Sequence, residues 1–465
     1  MERVLPKTLD YTDVLPLAVE SRSRRRTFFP INGQSFSSDG ANIIRIDLSA
    51  DALLDTQHSY LRFRFRARGA ACGIDQAGGH SFIRRLRVEQ SGTVLEDINS
   101  YNRLMGAIVL PCQSSNEHNS ERAITEGIMA MGKAVGQAAA GAIFQTQVTG
   151  QSSAELFGGN QNGDAQVAAD DYFTFSIPLN SGLLNNSKLI PLMLMSAPLT
   201  IELELAPSIQ PVCWAGAAPG GTYDIDNVRY IANLIEVGQD VAAQLRMVQE
   251  VSGGVLTLAG QTYRHFTGTL TAGSSGDQII NVPARVKSMK SMFFCGQGAG
   301  SDGSATYDVA QGNNLKLQEY QLKIGSVVYP PTPVRCDFGA GGDAQIWDRR
   351  GEPLMELAKA WGSVGSTKGM GQLTNQNVYK RGDALRPTAF AGARPLIQYS
   401  PFGLDLEAFQ RVAIESGVNT ADRSLPISLI LNISTDGAVQ QNIDAYVLAD
   451  ALFYLNADGS MSVSV

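Results

Sequence analysis

The sequence predicts a mainly β protein made of two similar sandwich halves, with short helices and long loops between the strands. Three observations support this class: a strand with unbroken alternation, a hairpin with a two-residue turn, and a counterpart of that hairpin in the second half of the chain. The chain has 465 residues, of which 44% are hydrophobic and 17% are charged. It is therefore apolar enough to fold and long enough for roughly two to four domains.

The clearest strand covers residues 61–68, where apolar residues and arginines alternate without a break. A strand has a period of two, so the apolar residues lie on one face and the arginines on the other. The apolar face consists of Leu61, Phe63, Phe65 and Ala67, and the polar face of Arg62, Arg64, Arg66 and Arg68. Because a row of like charges repels itself, we expect carboxylates of adjacent strands or chains beside these arginines.

The hairpin signal is the pair Ser91-Gly92 between two short runs of strand formers, residues 87–90 and 93–95. A pair of this kind predicts a tight two-residue turn. Further strands are expected at residues 173–177, 199–205 and 227–237. Helical spacing occurs mainly at residues 98–110 and 239–250, where apolar residues recur every three or four positions.

A weak internal repeat divides the chain in two. The first hairpin matches residues 320–328, residues 173–178 match 396–401, residues 198–203 match 426–431, and Ile225-Asp226 matches Ile443-Asp444. The order is preserved, and the offset stays between 218 (Ile225 to Ile443) and 234 (Gln90 to Ile324). Four matches in order favour a duplication. A helix follows each hairpin, at 98–110 and 354–361.

The repeat predicts four segments: an N-terminal arm (1–26), a first sandwich (27–238), a connecting helix (239–250) and a second sandwich (251–465). Each half holds enough strands for one antiparallel sandwich. Three stretches read as long loops or insertions: residues 113–170, with helical spacing at 123–144, and residues 296–314 and 335–387. Loops of this length in a compact domain are typical of functional or disordered segments.

Composition excludes several classes of protein. The net charge of −7 argues against a dedicated nucleic-acid binder. The five cysteines (Cys72, Cys112, Cys213, Cys295 and Cys336) are widely spaced, so we expect reduced, mostly buried thiols and neither a zinc ribbon nor a disulfide framework. No signal peptide or transmembrane segment is expected, because the longest apolar run, 189–199, is too short and contains two prolines.

Motifs for catalysis, metals and cofactors are missing from the sequence. None of His58, His80, His118 and His265 has metal-ligand spacing, and no G-x-S-x-G elbow is present. Gly132-Lys133 is followed by alanine, which excludes a P-loop. Acidic pairs such as Asp170-Asp171 are conceivable as a glycosidase couple, but a sequence does not show whether two carboxyl groups face each other. We therefore predict no catalytic residue, no metal site, no cofactor and no enzyme.

Three short stretches resemble the double jelly-roll major capsid proteins of double-stranded DNA viruses. They are residues 98–104 after the hairpin (INSYNRL), residues 175–179 (FSIPL) with Leu183-Leu184, and the strand and helix after Ile225-Asp226. The similarity is clearest from residue 81 to 250 and reaches the second half through the repeat. It is nearest to the capsid proteins of polinton-like viruses, adintoviruses, virophages and giant viruses.

The resemblance implies two tandem eight-stranded jelly rolls and a homotrimer that forms a pseudo-hexameric capsomer of an icosahedral virion. Its implied partners are further copies of the chain, penton proteins and minor capsid proteins, and its implied location is the virion, assembled inside the host cell. The insertion 113–170 departs from the family. In a capsid it would form an outer tower or clasp a neighbouring subunit, and the alternative is a surface insertion without such a role.

The arginine cluster of Arg22, Arg24, Arg25 and Arg26 ends the predicted arm. Three interpretations stay open: weak contact with genome phosphates, contact with another capsid protein, and a solvated role.

Two other classes of function also compete with the capsid interpretation. One is a viral β-sandwich binding module, such as a fibre or a carbohydrate-binding protein, for which Trp214, Trp347 and Trp361 are the candidate aromatic platforms. The other is a glycosidase.

Overall fold

A computed structural model gives the fold. It describes residues 21–69, 72–75, 77–112, 121–127, 170–208, 210–214, 221–298, 309, 312, 315–336, 351–361, 401–408, 417–434 and 440–465. Most of the insertion 113–170 and most of the loops 296–314 and 335–387 lie outside these residues. Within the insertion, a helix covers Glu121–Glu126 and overlaps the first four residues of the predicted helical stretch 123–144, most of which lies outside the described residues.

The first half folds into a sandwich of two antiparallel sheets. Its strands are β1 (Ser21–Phe28), β2 (Ser35–Ser37), β3 (Ile43–Leu48), β4 (Leu53–Arg68), β5 (Cys72–Ile74), β6 (Ile83–Gln90), β7 (Thr93–Asn99), β8 (Tyr172–Ile177), β9 (Ile190–Pro191), β10 (Leu199–Leu205), β11 (Val212–Trp214) and β12 (Thr222–Val237). Sheet I has the order β1-β12-β4-β8, to which β2 and β9 add, and sheet II has the order β3-β10-β6-β7. β5 and β11 form a separate pair.

The second half repeats this arrangement. Its strands are β13 (Val255–Leu270), β14 (Gly276–Asn281), β15 (Met289–Gly298), β16 (Leu317–Ile324), β17 (Val327–Arg335), β18 (Phe402–Asp405), β19 (Ile427–Ile433), β20 (Gln441–Asn456) and β21 (Met461–Ser464). Sheet III has the order β13-β20-β15-β18, with β21 added to β20, and sheet IV has the order β14-β19-β16-β17. The same order of eight strands in both halves is that of a jelly roll, so the chain is a double jelly roll.

The helices lie between these strands. α1 (Tyr101–Arg103) continues into a π-helical turn, Leu104–Val109, and a 3-10 turn, Leu110–Cys112. α2 is the helix Glu121–Glu126, α3 (Gln239–Val251) connects the two sandwiches, and α4 (Gly351–Ala360) follows β17. Short 3-10 turns cover Gly78–Phe82 and Leu192–Leu194.

The local patterns explain why the strands and turns form where they do. Leu61, Phe63 and Phe65 of β4 are buried, whereas the arginines between them are half-buried, as the alternation predicts. Ser91 and Gly92 both adopt positive φ in the β6–β7 turn, and Gly325 does so in the matching β16–β17 turn. Both predicted hairpins are therefore confirmed, since such turns follow the twist of their strands.

Three expectations differ from the structure. Ile98 and Asn99 belong to β7, and the helix begins only at Tyr101, because Ser100 adopts a left-handed conformation that ends the strand. Residues 396–400, proposed as the counterpart of β8, lie outside the described residues, and the strand in that position is β18, which pairs with β15. Sheet I begins at Ser21, inside the predicted arm 1–26, because β1 pairs with β12 over its whole length.

Candidate functional site: the seam between the two sandwiches

The two sandwiches meet along a buried seam, formed by the outer face of sheet III and the first sandwich. Along β20, Ala445 and Val447 belong to the core of the second sandwich, whereas Tyr446 and Leu448 join the core of the first. Phe293 of β15 also lies in the first core, while its neighbour Phe294 lies in the second. Residues of β15 and β20 on the face turned away from the second core therefore belong to the core of the first sandwich, which joins the two sandwiches.

Arg103 of α1 crosses this seam. Its Nε donates to Asp444 Oδ2 at 3.2 Å, its Nη1 to the carbonyl oxygen of Val309 at 2.6 Å, and its Nη2 to Cys295 Sγ at 3.3 Å. Nε2 of His265 lies 3.0 Å from the other carboxylate oxygen of Asp444. Burial alone would raise the pKa of Asp444, but the His265 hydrogen bond and the Arg103 charge lower it below its ordinary value. Asp444 is thus a buried carboxylate with a partner from each sandwich.

Glu96 of β7 is the centre of a second polar contact across the seam. Its Oε1 accepts hydrogen bonds from the Gly182 amide at 2.9 Å and from Thr262 Oγ1 of β13 at 2.7 Å. Its Oε2 accepts from Ser181 Oγ and from the Leu183 amide. Burial raises the pKa of Glu96 above its ordinary value, even though these donors favour the ionised form. The carboxylate therefore ties the loop after β8 to the first strand of the second sandwich.

Two glycines allow the backbones of the sandwiches to touch beside Glu96. A Cβ atom at Gly182 would lie 2.4 Å from the carbonyl oxygen of Gln261, and one at Gly260 would lie 2.5 Å from the carbonyl oxygen of Gly182. The Asn186 side chain donates to the carbonyl oxygen of Ala259 at 2.8 Å in the same region. Any side chain at Gly182 or Gly260 would push the two backbones apart.

Further hydrogen bonds extend the seam along the chain. The Gln90 side chain donates to the carbonyl oxygen of Gly459 at 3.1 Å and accepts from the Met461 amide at 2.6 Å. Tyr446 Oη donates to the carbonyl oxygen of Ser100 at 3.0 Å. The seam thus holds the sandwiches by apolar packing and by oriented hydrogen bonds, which fix their relative position.

A polar cavity of about 290 Å³ opens at the seam. Its lining is rich in amide and hydroxyl groups, among them those of Gln57, Asn180, Asn185 and Gln261, and Tyr263 is its aromatic lining residue. Trp361 lies elsewhere, with its ring 4.6 Å from that of Phe293. Trp347 and the side chain of Trp214 lie outside the described residues. The cavity therefore offers hydrogen bonds but no tryptophan platform from the described part of the chain.

The arginine row of β4 lies on the outer face of sheet I and has the expected carboxylate neighbours. Arg64 forms two hydrogen bonds with Asp226 of β12, at 2.5 and 2.8 Å, and Arg68 contacts Asp224 at 2.6 Å. The hydrogen bond to Asp226 raises the pKa of Arg64. Cross-strand pairing is confirmed for these two residues, whereas Nε of Arg66 is buried without a hydrogen-bond partner among the described residues.

The cluster Arg22, Arg24, Arg25 and Arg26 lies within β1, not in an arm before the first strand, and its side chains are exposed. Arg24 Nη1 lies 3.0 Å from Glu236 Oε1, Arg25 donates to Tyr60 Oη at 3.0 Å, and the Arg26 guanidinium lies over the Phe28 ring. Arg22 faces Glu236 in the strand register. A role in contacting a partner or the genome stays a prediction.

Other titratable groups of the described residues form pairs and small groups. His58 lies 2.7 Å from Asp55, and buried His80 lies 2.8 Å from Glu126, which Arg122 also contacts. Burial alone would raise the pKa of Glu126, but His80 and Arg122 lower it to about 2. In the part of the chain that the structure describes, no group of three or more His, Cys, Asp or Glu is placed to hold a metal ion. His118 lies outside the described residues. None of the described helices is long and apolar enough to span a membrane.

The roles of Arg103, Glu96 and the two glycines did not follow from sequence reasoning, because their partners are far away along the chain. One signal was available. Residues 445–449 (AYVLA) are continuously apolar, which indicates a strand buried on both faces. Such a strand in a sandwich predicts that a second layer covers it, and here that layer is the first sandwich.

Three solved structures are similar to this chain over nearly its whole length. The PBCV-1 virus capsid model matches with a TM-score of 0.58 at 10% identity and covers 98% of this chain and 99% of that chain. The Faustovirus major capsid protein matches with a TM-score of 0.56 at 9% identity, covering 95% and 91%. The mavirus major capsid protein matches with a TM-score of 0.51 at 11% identity, covering 100% and 96%. No protein-family model matches this chain, and no curated protein matches it either. These likenesses show a common fold, with both sandwiches included.

Proposed function

We propose that this chain is a major capsid protein of a double-stranded DNA virus, located in the virion shell and assembled inside the host cell. The observation that carries the proposal is the match of both jelly rolls together to the capsid structures of PBCV-1, Faustovirus and mavirus. A single sandwich is shared by many kinds of protein, whereas two joined side by side in one chain form a much more specific architecture.

The geometry suits a trimeric capsomer. Each chain carries two sandwiches with the same strand order, so three chains around a threefold axis present six similar units. A capsomer with six similar sides can pack against neighbouring capsomers in a continuous layer. The seam supports this role, because Arg103, Glu96 and the shared core hold the two units of each chain in one position.

Assembly would use two kinds of contact. Contacts within an obligate trimer typically bury roughly 2,000–5,000 Å². Contacts between trimers are individually weaker and add up across a shell by multivalency. Penton and minor capsid proteins are the further partners that this function requires, and the exposed arginines of β1 are candidates for contact with them or with the genome.

Light scattering on the purified protein, followed by electron microscopy of the same sample, tests the proposal. Three chains of 49.8 kDa give 3 × 49.8 = 149.4 kDa. We expect a species of that mass, or closed shells. A monomer that never assembles at any concentration or salt would contradict the proposal and would favour a monomeric binding module instead.

A further inference from the structure

Sheets I and III have the same strand order but differ in how far their outer faces are buried. β1, β12, β4 and β8 of sheet I correspond to β13, β20, β15 and β18 of sheet III. The outer face of sheet III packs on the β6–β7 hairpin and α1 of the first sandwich. On the outer face of sheet I, the residues of β4 and β12 keep part of their surface exposed, among them Arg62 and Arg229.

The strand register shows which residues of β12 and β20 correspond. Ile225-Asp226 corresponds to Ile443-Asp444, and β12 then contains one additional residue, Asn227, which has positive φ where the β4–β12 register shifts. Arg229 therefore takes the position of Tyr446. The residues on either side of these two belong to the core of their own sandwich: Val228, Tyr230, Ala445 and Val447.

The neighbouring strands agree with this correspondence. Arg229 faces Arg62 of β4, just as Tyr446 faces Phe293 of β15. The Arg229 guanidinium also lies over the ring of Phe29, the residue that follows β1 and is 59% exposed. Arginine with aromatic neighbours is typical of the centre of a protein–protein interface.

Arg229 has a hydrogen-bond donor without an acceptor. Its Nε is buried and has no hydrogen-bond partner among the described residues, and the same is true of Nε of Arg66 on the same face. Tyr446, at the corresponding position of the second sandwich, donates across the seam to the carbonyl oxygen of Ser100, directly after β7. Since a buried donor without an acceptor is costly, an acceptor from another chain at this position would stabilise the face.

β1 corresponds to β13, because these strands lie beside β12 and β20. Arg26 of β1 faces Ala232, as Thr262 of β13 faces Ala449. Thr262 is 3% exposed and donates to Glu96 of the β6–β7 hairpin. Arg26, at the corresponding position, is exposed. The place that a hairpin fills beside β13 is therefore open beside β1.

The β16–β17 hairpin is the counterpart of β6–β7, since each hairpin ends its sheet. Tyr329 of β17 faces Leu322 in the way that Glu96 of β7 faces Val88. Val327, at the start of β17, is 50% exposed. The second sandwich thus presents an outer hairpin of the same kind as the one that covers sheet III.

The chemistry of β17 complements the arginines of sheet I. Three of its nine residues are prolines, Pro330, Pro331 and Pro333, which have no backbone N–H. The free edge of β17 therefore offers more carbonyl acceptors than donors. Arginine has donors and no acceptor, so the two surfaces match.

We propose that β1 and the outer face of sheet I bind the β16–β17 hairpin of another copy of this chain. This contact repeats, between chains, the one that the β6–β7 hairpin makes with sheet III inside each chain. It rests on the proposed capsid function, because it identifies the surface through which the trimer forms. Each chain has one such face and one such hairpin, so the contact runs head to tail and closes into a ring of three.

Light scattering over a dilution series tests the contact. Arg26→Glu and Arg229→Glu each replace a donor with a carboxylate opposite the acceptor-rich edge, so the concentration at which half of the protein is trimeric should rise at least about tenfold. Arg45→Glu is the matched control, because Arg45 lies on the outer face of sheet II with its side chain 48% exposed. It makes the same change of charge and should leave the trimer unchanged. Circular dichroism checks the fold of each variant.

A cysteine pair tests which element covers β1. Arg26 and Tyr329 hold the positions of Thr262 and Glu96, which touch in the seam. Arg26→Cys combined with Tyr329→Cys should therefore be joined by a short bismaleimide into covalent dimers and trimers. Arg45→Cys combined with Tyr329→Cys should not. This cross-link needs no new charge, so it decides the question even where Arg229→Glu fails to fold.

The outcomes separate this contact from the proposed function. An original protein that stays monomeric would contradict both. Trimers that are equally stable in Arg26→Glu, Arg229→Glu and the original protein, or trimers in which the cysteine pair does not join different chains, would overturn the contact and leave the trimer itself intact.

Discussion

Replacing Arg103 with alanine is the most direct test of the seam. The Arg103 and Asp444 side chains are 4% and 14% exposed, so the substitution leaves a largely buried carboxylate with His265 as its remaining partner at the seam. It also removes the donor to the carbonyl oxygen of Val309. Removing one member of a buried ion pair typically costs 3–5 kcal/mol, and we expect the free energy of unfolding to fall by about that amount.

Urea unfolding followed by circular dichroism, at equal protein concentrations, measures this loss. Arg85→Ala is the matched control, because Arg85 forms two hydrogen bonds with Asp97 on the outer face of sheet II, with side chains 35% and 26% exposed. A partly exposed surface pair contributes about 0–1 kcal/mol, so this variant should be nearly as stable as the original protein. Arg103→Lys keeps the charge but not the planar fork of donors. Its loss in the free energy of unfolding should lie between those of Arg103→Ala and Arg85→Ala.

The pH dependence gives a second, independent measurement. The pKa of Asp444 is lower in the folded protein than in the unfolded chain, so its contribution to stability is present above its ordinary pKa of 3.8 and disappears as the pH falls through the folded value. The difference in the free energy of unfolding between the original protein and Arg103→Ala should therefore become smaller below about pH 4. Equal losses for Arg103→Ala and Arg85→Ala, or a loss from Arg103→Ala that does not change with pH, would refute the role assigned to Arg103.

Three further predictions concern the seam and the His80–Glu126 pair. Glu96→Ala removes the acceptor of the Gly182 amide and of the Thr262 hydroxyl and should cost about 2–6 kcal/mol in urea unfolding, against less than about 1 kcal/mol for Glu204→Ala on the outer face of sheet II. Gly260→Ala forces the two backbones apart and should lower stability by about 1–3 kcal/mol, whereas Gly40→Ala, with no atom near its added methyl group, should change it by less than about 0.5 kcal/mol. Glu126 has a pKa of about 2 in the folded protein, below its ordinary value of 4.5. The free energy of unfolding should therefore fall by about 3 kcal/mol as the pH falls from 4.5 to 2. Glu126→Gln should show a correspondingly flatter acid limb, and an unchanged limb would contradict the assigned pairing.

Much of the fold could be predicted from local patterns. The alternation at residues 61–68 assigns the buried face of β4, and the Ser91-Gly92 turn assigns the β6–β7 hairpin. The repeat predicts the second sandwich, because equivalent strands need similar patterns to bury similar faces. The predicted end of the arm at residue 26 is wrong, because β1 already begins at Ser21. Sequence patterns do not reveal this strand, since it carries exposed polar residues along most of its length and lacks the pattern of a half-buried strand.

The candidate site could not be predicted in the same way. Glu96 and Thr262 are 166 positions apart, and Arg103 and Asp444 are 341 apart. In the sequence, Glu96 and Asp444 look like ordinary polar residues of half-buried strands. Their burial depends on how the two sandwiches are placed, and no local pattern records that placement.

Sequence reasoning was enough to establish the class of the fold, its division into two similar halves and the faces of its main strands. Those properties follow from periodicity, because the side-chain alternation of a strand is the same wherever the strand lies. The three-dimensional fold was needed to show that Phe293, Tyr446 and Leu448 pack in the core of the first sandwich and that Arg103 and Glu96 join the halves. These depend on contacts between distant segments, and their free energy exists only once both sandwiches have formed.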